Sequence, residues 1–198
     1  MKLYHGTPFL FDSFNTDTVG ESTGIKYGVG VYLTQVEKTA VHYSQPRNLE
    51  LTEKHYLYSV EIPDLTDENH FFSVRPVPQS ILEKVENKLS ELKGYKVSTP
   101  DEVKNDKSPG KLFRKWVGTT LTGAKKPNFE SEKQAAAFFD ELGVNYYVYP
   151  NAQGKPDGEV NITVYNPGKI KIVQIEEIEI VRKSDKWVAA SKKVIKSY

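Results

Sequence analysis

The 198-residue sequence contains no cysteine, and this absence excludes several chemistries at once. Without thiols there is no disulfide, no thiolate nucleophile and none of the common cysteine-ligated zinc sites. The four histidines show no metal-ligand spacing, such as two histidines four residues apart on a helix. We therefore expect a protein that holds no metal ion.

An excess of one charge and long apolar runs are also lacking. The formal net charge of +1 argues against wholesale electrostatic capture of nucleic acid or membrane. No apolar run approaches the roughly 20 residues of a membrane-spanning helix, and the first residues do not form the apolar core of a secretory signal. We expect a cytoplasmic protein, in the producing cell or in a target cell, with no membrane partner.

The length and the hydrophobic periodicity predict one α+β domain over residues 1–181. Residues 63–130 are expected to form a variable insertion of helices and loops, and residues 182–198 a lysine-rich tail or helix. The segments 15–27 and 98–130 are expected to be mobile loops over a substrate. Alternating apolar residues predict strands over 55–62, 144–149, 159–165 and 170–181.

Helical periodicity follows Ser80 and stops at Gly94, and a capping-box pattern at Ser131 opens a second helix that ends at Gly143. The most informative stretch is Gly28-Val29-Gly30-Val31-Tyr32, followed by a short helical segment that ends near Tyr43. The glycine pair indicates a tight turn or a close approach by the main chain. The two tyrosines can then face each other across a flat ring, or they belong to a hairpin and a helix that share core aromatics.

Upstream, the first strand ends in Leu3-Tyr4-His5-Gly6-Thr7. Together these two stretches resemble the NAD+-binding core of ADP-ribosyltransferases, in the branch with a His–Tyr–third-residue signature shared by diphtheria-type toxins and poly(ADP-ribose) polymerases. The segment Asn161–Asn166 resembles the strand that carries the third position. The spacing resembles compact phage and bacterial members, and the resemblance covers residues 3–62 and 131–175.

The resemblance implies a split β-sandwich of two mostly antiparallel sheets with flanking helices and an NAD+ cleft between the sheets. It implies a mono-ADP-ribosyltransferase that uses NAD+ as co-substrate, as a bacterial or phage toxin or effector. The acceptor, a protein or a nucleic acid (RNA or DNA), stays open, and a cognate antitoxin is a candidate partner. The alternatives are an NAD+ glycohydrolase and a catalytically inactive module that binds NAD+ or ADP-ribose.

The resemblance also implies roles for single residues. Tyr32 and Tyr43 would sandwich the flat nicotinamide cation by stacking and cation–π attraction. His5 would hydrogen-bond the adenosine ribose. The other implied NAD+-binding positions are Gly6 and Thr39, which would contact the nicotinamide carboxamide, and Thr7.

The third signature position departs from the family pattern. The family often has a glutamate there, which hydrogen-bonds the 2′-hydroxyl of the nicotinamide ribose as positive charge develops on the sugar. The matching residue is Asn161, and Glu159 lies two residues earlier on the same strand face. Both are candidates for the catalytic residue. An asparagine at this position favours the transfer of a single unit over polymer growth.

A basic and aromatic stretch, Lys111–Trp116, precedes Lys125 and Lys126. Lysines with interleaved aromatic residues are typical of surfaces that contact phosphates and stack on bases. The alternative is a solvated helix face with an apolar underside.

Overall fold

The computed structural model describes residues 1–16, 26–45, 50, 52–150 and 158–198. Within these ranges the chain is α+β, as predicted. Its strands are β1 (Lys2–Thr7), β2 (Val31–Thr34), β3 (His55–Glu61), β4 (His70–Phe72), β5 (Tyr146–Pro150), β6 (Val160–Val164), β7 (Lys171–Lys183) and β8 (Lys186–Ser197). Its helices are α1 (Glu37–Tyr43), α2 (Gln79–Lys93), α3 (Asp101–Lys104), α4 (Pro109–Thr122) and α5 (Phe129–Glu141).

The strands form one mixed sheet in the order β4-β5-β6-β2-β1-β3-β7-β8, where the sequence predicted two sheets. The β4–β5 pair is parallel, and all the other neighbouring pairs of described strands are antiparallel. The sheet is continuous because β2 lies between an early strand, β1, and a late strand, β6. Strands that are distant in the sequence thereby become neighbours.

The contact between β1 and β2, which we call the seam, joins two halves of this sheet. Only Tyr4 and Thr34 pair across the seam, whereas β1 pairs with β3 along its whole length and β2 pairs with β6 in the same way. The sheet is therefore nearly divided into the halves β4-β5-β6-β2 and β1-β3-β7-β8.

Helices cover one face of the sheet in two groups. Helices α2, α4 and α5 pack their apolar residues on β4 and β5, and α1 packs Ala40 and Val41 against Leu57 and Ile178. The large core that α2, α4 and α5 share with the sheet includes Ile81, Val85, Leu89, Phe71, Phe113, Val117 and Phe139. Residues 63–130 thus build much of the main core, and they are not a peripheral insertion.

Three details of the sequence-based prediction are wrong. The 98–130 segment is mostly helical, because α3 and α4 lie within it. Helix α5 begins after Asn128, whose side chain accepts from the Ser131 N–H, so that Ser131 is the third helical residue and not the cap. Of the predicted loop 15–27, residues 17–25 lie outside the described ranges.

The C-terminal segment is a strand, and the prediction of a tail or helix over 182–198 is wrong. Strands β7 and β8 form a long antiparallel hairpin around Ser184 and Asp185, where Ser184 adopts φ 55°. The segment alternates poorly, and its pairing with β7 determines its conformation, so the local sequence gave no clear strand signal. No helix in the described part of the chain has both the length and the apolar character needed to cross a membrane.

Candidate functional site

At the seam, the imidazole of His5 replaces a backbone partner. Past the Tyr4–Thr34 pair the two strands no longer pair, and His5 Nδ1 lies 2.9 Å from the carbonyl oxygen of Tyr32. Because a carbonyl oxygen only accepts, Nδ1 carries the proton and Nε2 presents a lone pair. Burial lowers the pKa of His5, against the opposing effect of this hydrogen bond, so the ring is neutral at pH 7.

The His5 ring lies among aromatic residues on the face opposite the helices. Its centroid is 5.2 Å from that of Phe14 and 6.3 Å from those of Phe11 and Tyr58. The Tyr58 hydroxyl accepts from the Phe11 N–H at 2.8 Å and so fixes the 9–14 segment over the sheet. The aromatic group keeps His5 desolvated. The sequence did not identify Tyr58 as part of the site, because its partners are 47 residues away.

The Tyr32 side chain is held by the glycine turn that precedes β2. Its hydroxyl donates to the Gly28 carbonyl oxygen at 2.6 Å. Gly28 adopts φ 92°, which glycine tolerates far better than other residues. Burial raises the pKa of Tyr32 to about 12, so the phenol stays protonated and remains a donor. The half-buried ring is therefore fixed at its far end as well as at its Cα.

The glycine turn is itself held by Arg114 of α4, a residue that the sequence placed on a basic surface. The Arg114 side chain is 1% exposed and forms an ion pair with Glu132 of α5. Its Nη2 donates to the Lys26 carbonyl oxygen at 3.4 Å, and its Nη1 lies 3.0 Å from where a Cβ on Gly28 would be. The guanidinium carbon is also 5.0 Å from the Tyr147 ring centroid. Arg114 thus connects two helices to the turn that orients Tyr32.

Asn161 lies on the same face of the sheet as Tyr32. Tyr32 pairs with Thr163 and Thr34 pairs with Asn161, which in turn pairs with Tyr149. Directly opposite residues share a face, and so do alternate residues along one strand. Tyr32 and Asn161 are therefore diagonal neighbours, at a spacing typically about 7–8 Å.

The amide oxygen of Asn161 is buried without a hydrogen-bond partner. The residue is 9% exposed, and Oδ1 accepts from no group in the structure. An unsatisfied buried acceptor costs about 1–3 kcal/mol. A donor from a bound molecule would remove this cost.

Glu159, the alternative third residue, lies in a different environment. It is solvent-exposed and precedes β6, which begins at Val160. It is therefore not part of the paired rows that contain Asn161 and Tyr32. Of the two candidates, only Asn161 is buried in the sheet face that also carries Tyr32.

Helix α1 brings Tyr43 and Thr39 to the site from the other half of the sheet. Tyr43 is 61% exposed at the last residue of the helix, and Thr39 is half-buried one turn earlier. Tyr32 and Tyr43 both raise the pKa of Tyr149 electrostatically, after the larger effect of burial. The three phenols therefore lie near one another, with Tyr43 accessible to solvent.

Gly6 and Thr7 shape the seam from within β1. A Cβ on Gly6 would lie 1.8 Å from the Ala40 carbonyl oxygen, so the glycine is required by the close approach of α1. The sequence-based reason, a ligand obstructed by a side chain, is therefore not needed to explain this glycine. Thr7 is buried, and its Oγ1 accepts from the Phe9 N–H at 3.2 Å.

A stacked pair of tyrosines, which the sequence analysis missed, forms one wall of the site. The Tyr27 and Tyr149 rings are parallel within 7°, with centroids 3.8 Å apart. Thr163 Oγ1 donates to the Tyr27 carbonyl oxygen at 3.0 Å and holds the turn against β6. The position of Tyr27 directly before Gly28 was the one signal in the sequence for this contact.

The site thus combines a neutral imidazole, aromatic walls and an unpartnered amide oxygen. No group of three or more histidine, aspartate or glutamate side chains suited to a metal ion occurs among the described residues. Comparison of the chain with protein-family models, with curated proteins and with solved structures finds no match in any of the three.

Proposed function

We propose that this protein is a mono-ADP-ribosyltransferase that cleaves NAD+ at the nicotinamide glycosidic bond and transfers ADP-ribose to a macromolecule. The proposal includes action in the cytoplasm, as a bacterial or phage toxin or effector. It is supported by the positions of the three signature residues, since His5, Tyr32 and Asn161 lie on adjacent strands β1, β2 and β6. The near division of the sheet at the seam supports the split architecture that the resemblance implies.

The unpartnered Oδ1 of Asn161 is the observation that carries the proposal. The 2′-hydroxyl of a ribose is a donor that would satisfy this oxygen. The sugar of a nicotinamide riboside stacked on Tyr32 would lie near Asn161, because the two residues are diagonal neighbours on one sheet face. This contact strengthens as the sugar becomes an oxocarbenium ion.

Each remaining residue has a role that matches its environment. Tyr32 is fixed by its bond to Gly28 and Tyr43 is exposed, so a planar cation can enter between their rings. With Nδ1 engaged by the Tyr32 carbonyl, His5 Nε2 accepts from a hydroxyl of the adenosine ribose. The dinucleotide is then held at both ends.

In the reaction, the bond between ribose C1′ and the nicotinamide nitrogen breaks, and its electron pair leaves with nicotinamide. A nucleophilic atom of the acceptor forms a new bond to C1′ and loses its proton to water. Asn161 orients the 2′-hydroxyl without carrying a negative charge. The acceptor must therefore be nucleophilic enough to need no general base from this position, which fits transfer of a single unit.

The test follows nicotinamide release and the incorporation of label from adenylate-labelled NAD+ into a lysate. We expect Tyr32→Ala, His5→Ala and Asn161→Ala to lose both signals while retaining the wild-type circular dichroism spectrum. Two control variants should retain activity: Tyr95→Ala, which removes an exposed tyrosine remote from the seam, and Glu159→Gln. Loss of activity in Glu159→Gln with retention in Asn161→Ala would transfer the catalytic role to the glutamate.

A second candidate, an inactive module that binds NAD+, is favoured by one observation. Asn161 brings no charge to a developing cation, so it offers less transition-state stabilisation than a carboxylate. NAD+ binding by calorimetry with neither nicotinamide release nor labelled product would support this alternative. Equal nicotinamide release with and without lysate, and no labelled product, would indicate hydrolysis. Absence of NAD+ binding would contradict all of these functions.

A further inference from the structure

The basic stretch 111–116 divides between the core and the surface in the structure. Phe113 and Arg114 are buried, and Trp116 packs against the main core. These aromatic residues are therefore not available to stack on bases, contrary to the sequence-based expectation. The lysines at 111 and 115 are four residues apart on one face of α4, and they remain at the surface.

A cavity of about 250 Å³ lies between these lysines and the glycine turn. It is lined by Lys26, Lys111, Lys115, Pro127 and Glu132. We call it the three-lysine cavity. Its cations come from two segments 85 residues apart in the sequence, so the fold, and not local composition, brings them together.

The three-lysine cavity carries an excess of positive charge. Its one acidic residue, Glu132, is paired with buried Arg114. None of the three lysines forms an ion pair with a residue in the ranges that the structure describes. Burial lowers the pKa of Lys115, and the nearby charges of Lys111 and Arg114 lower it further.

The cavity adjoins the candidate site and extends away from it. Lys26 directly precedes Tyr27, whose ring stacks on Tyr149 in the site wall. On the other side, exposed Lys125 and Lys126 directly precede Pro127. The cations thus continue beyond the size of a single phosphate, which suits a polymer with repeated negative charges.

We propose that the three-lysine cavity binds a backbone phosphate of a single-stranded nucleic acid, the acceptor of ADP-ribose. The acceptor role rests on the proposed function, whereas the binding itself does not. A single strand is specified because a base stacked inside a duplex cannot reach a recessed site. The phosphate contact would hold the strand beside Tyr27, with a base directed towards the cleft.

The experiment measures binding of fluorescein-labelled 12-nucleotide RNA and DNA by anisotropy, without NAD+, between 50 and 200 mM salt. The variant K26Q/K111Q/K115Q removes the cations of the cavity. The control K183Q/K186Q removes two equally exposed lysines at the β7–β8 turn. Each phosphate contact on a single strand contributes about 0.7 to the salt slope, so the wild-type affinity should fall about 20-fold more than that of the triple variant over this range.

We expect the control to follow the wild type, and the triple variant to bind weakly with a slope lower by about 2. Thermal unfolding of all three proteins checks that each is folded. Absence of oligonucleotide binding by the wild type, or equal slopes in the wild type and the triple variant, would overturn the proposal. An unchanged oligonucleotide affinity together with a raised NAD+ dissociation constant in the triple variant would assign the cavity to the dinucleotide instead. These results are independent of nicotinamide release, so a failure of the proposed function is seen separately.

Discussion

The buried pair of Arg114 and Glu132 gives the sharpest test of the structure. The two side chains are 1% and 3% exposed, and they join α4 to α5 beneath the glycine turn. Glu132→Gln keeps the size of the side chain and removes its charge. Arg114 would then remain buried without a counter-charge, because its other contacts are the Lys26 carbonyl and the Tyr147 ring.

Removing one partner of a buried pair costs about 3–5 kcal/mol. A domain has a total free energy of unfolding of about 5–15 kcal/mol, so this loss is a large fraction of the whole. At about 2–4 °C per kcal/mol for a chain of this length, Tm should fall by about 6–20 °C. The double variant R114M/E132M should recover most of the loss, since apolar replacement of both charges is often neutral or stabilising.

The assay is urea unfolding followed by tryptophan fluorescence, to which Trp116 on α4 contributes, and by circular dichroism. The control is Glu130→Gln on the same helix, where the exposed carboxylate meets only the Gln134 side chain. Its unfolding free energy should stay within about 0.5 kcal/mol of wild type. A loss below about 1 kcal/mol in Glu132→Gln, or a double variant less stable than the single one, would refute this reasoning.

Three further predictions concern the seam and its neighbours. Gly6→Ala should cost about 1–3 kcal/mol or more, because the new Cβ would meet the Ala40 carbonyl oxygen; a wild-type urea midpoint would contradict this. Asn161→Ala should leave the unfolding free energy unchanged or higher, since the lost oxygen has no partner; clear destabilisation would indicate a partner in the folded protein. Because burial lowers the pKa of His5, the unfolded chain takes up the proton first, so stability should fall as pH drops below about 6.5. Denaturation at pH 7.5 and 5.5 should show a smaller fall in His5→Asn, with the remainder due to His55, whose pKa burial also lowers.

The parts of the fold that depend on local pattern were predictable from the sequence. Alternation identified β3, β5, β6 and β7, and a 3.6-residue period identified α2 with its Gly94 stop, which adopts φ 74°. The glycine turn before Tyr32 was also predicted, because only a few residue types tolerate its conformation. In each case the signal lies within about a dozen neighbouring residues.

The remaining features depend on contacts between distant segments. Strand β4 has three residues, too few for a period, and it exists through its parallel pairing with β5. Arg114 has the local sequence of a surface cation, and only the fold brings Glu132 to it. Likewise, Asn161 was recognised from its resemblance to a motif. Its unpartnered oxygen follows from the register that places it between Thr34 and Tyr149.

Strand β8 is the outermost strand at one end of the sheet, and its free edge bears on self-association. An open strand edge is a template on which another chain can add a strand. Lysines on such an edge oppose this addition by charge repulsion and by their hydration. Those on β8 are Lys186, Lys192, Lys193 and Lys196. A chain cut before β8 would leave β7 as the edge, with its Ile175 and Ile178 row beside unpaired backbone groups, and would therefore be prone to aggregate.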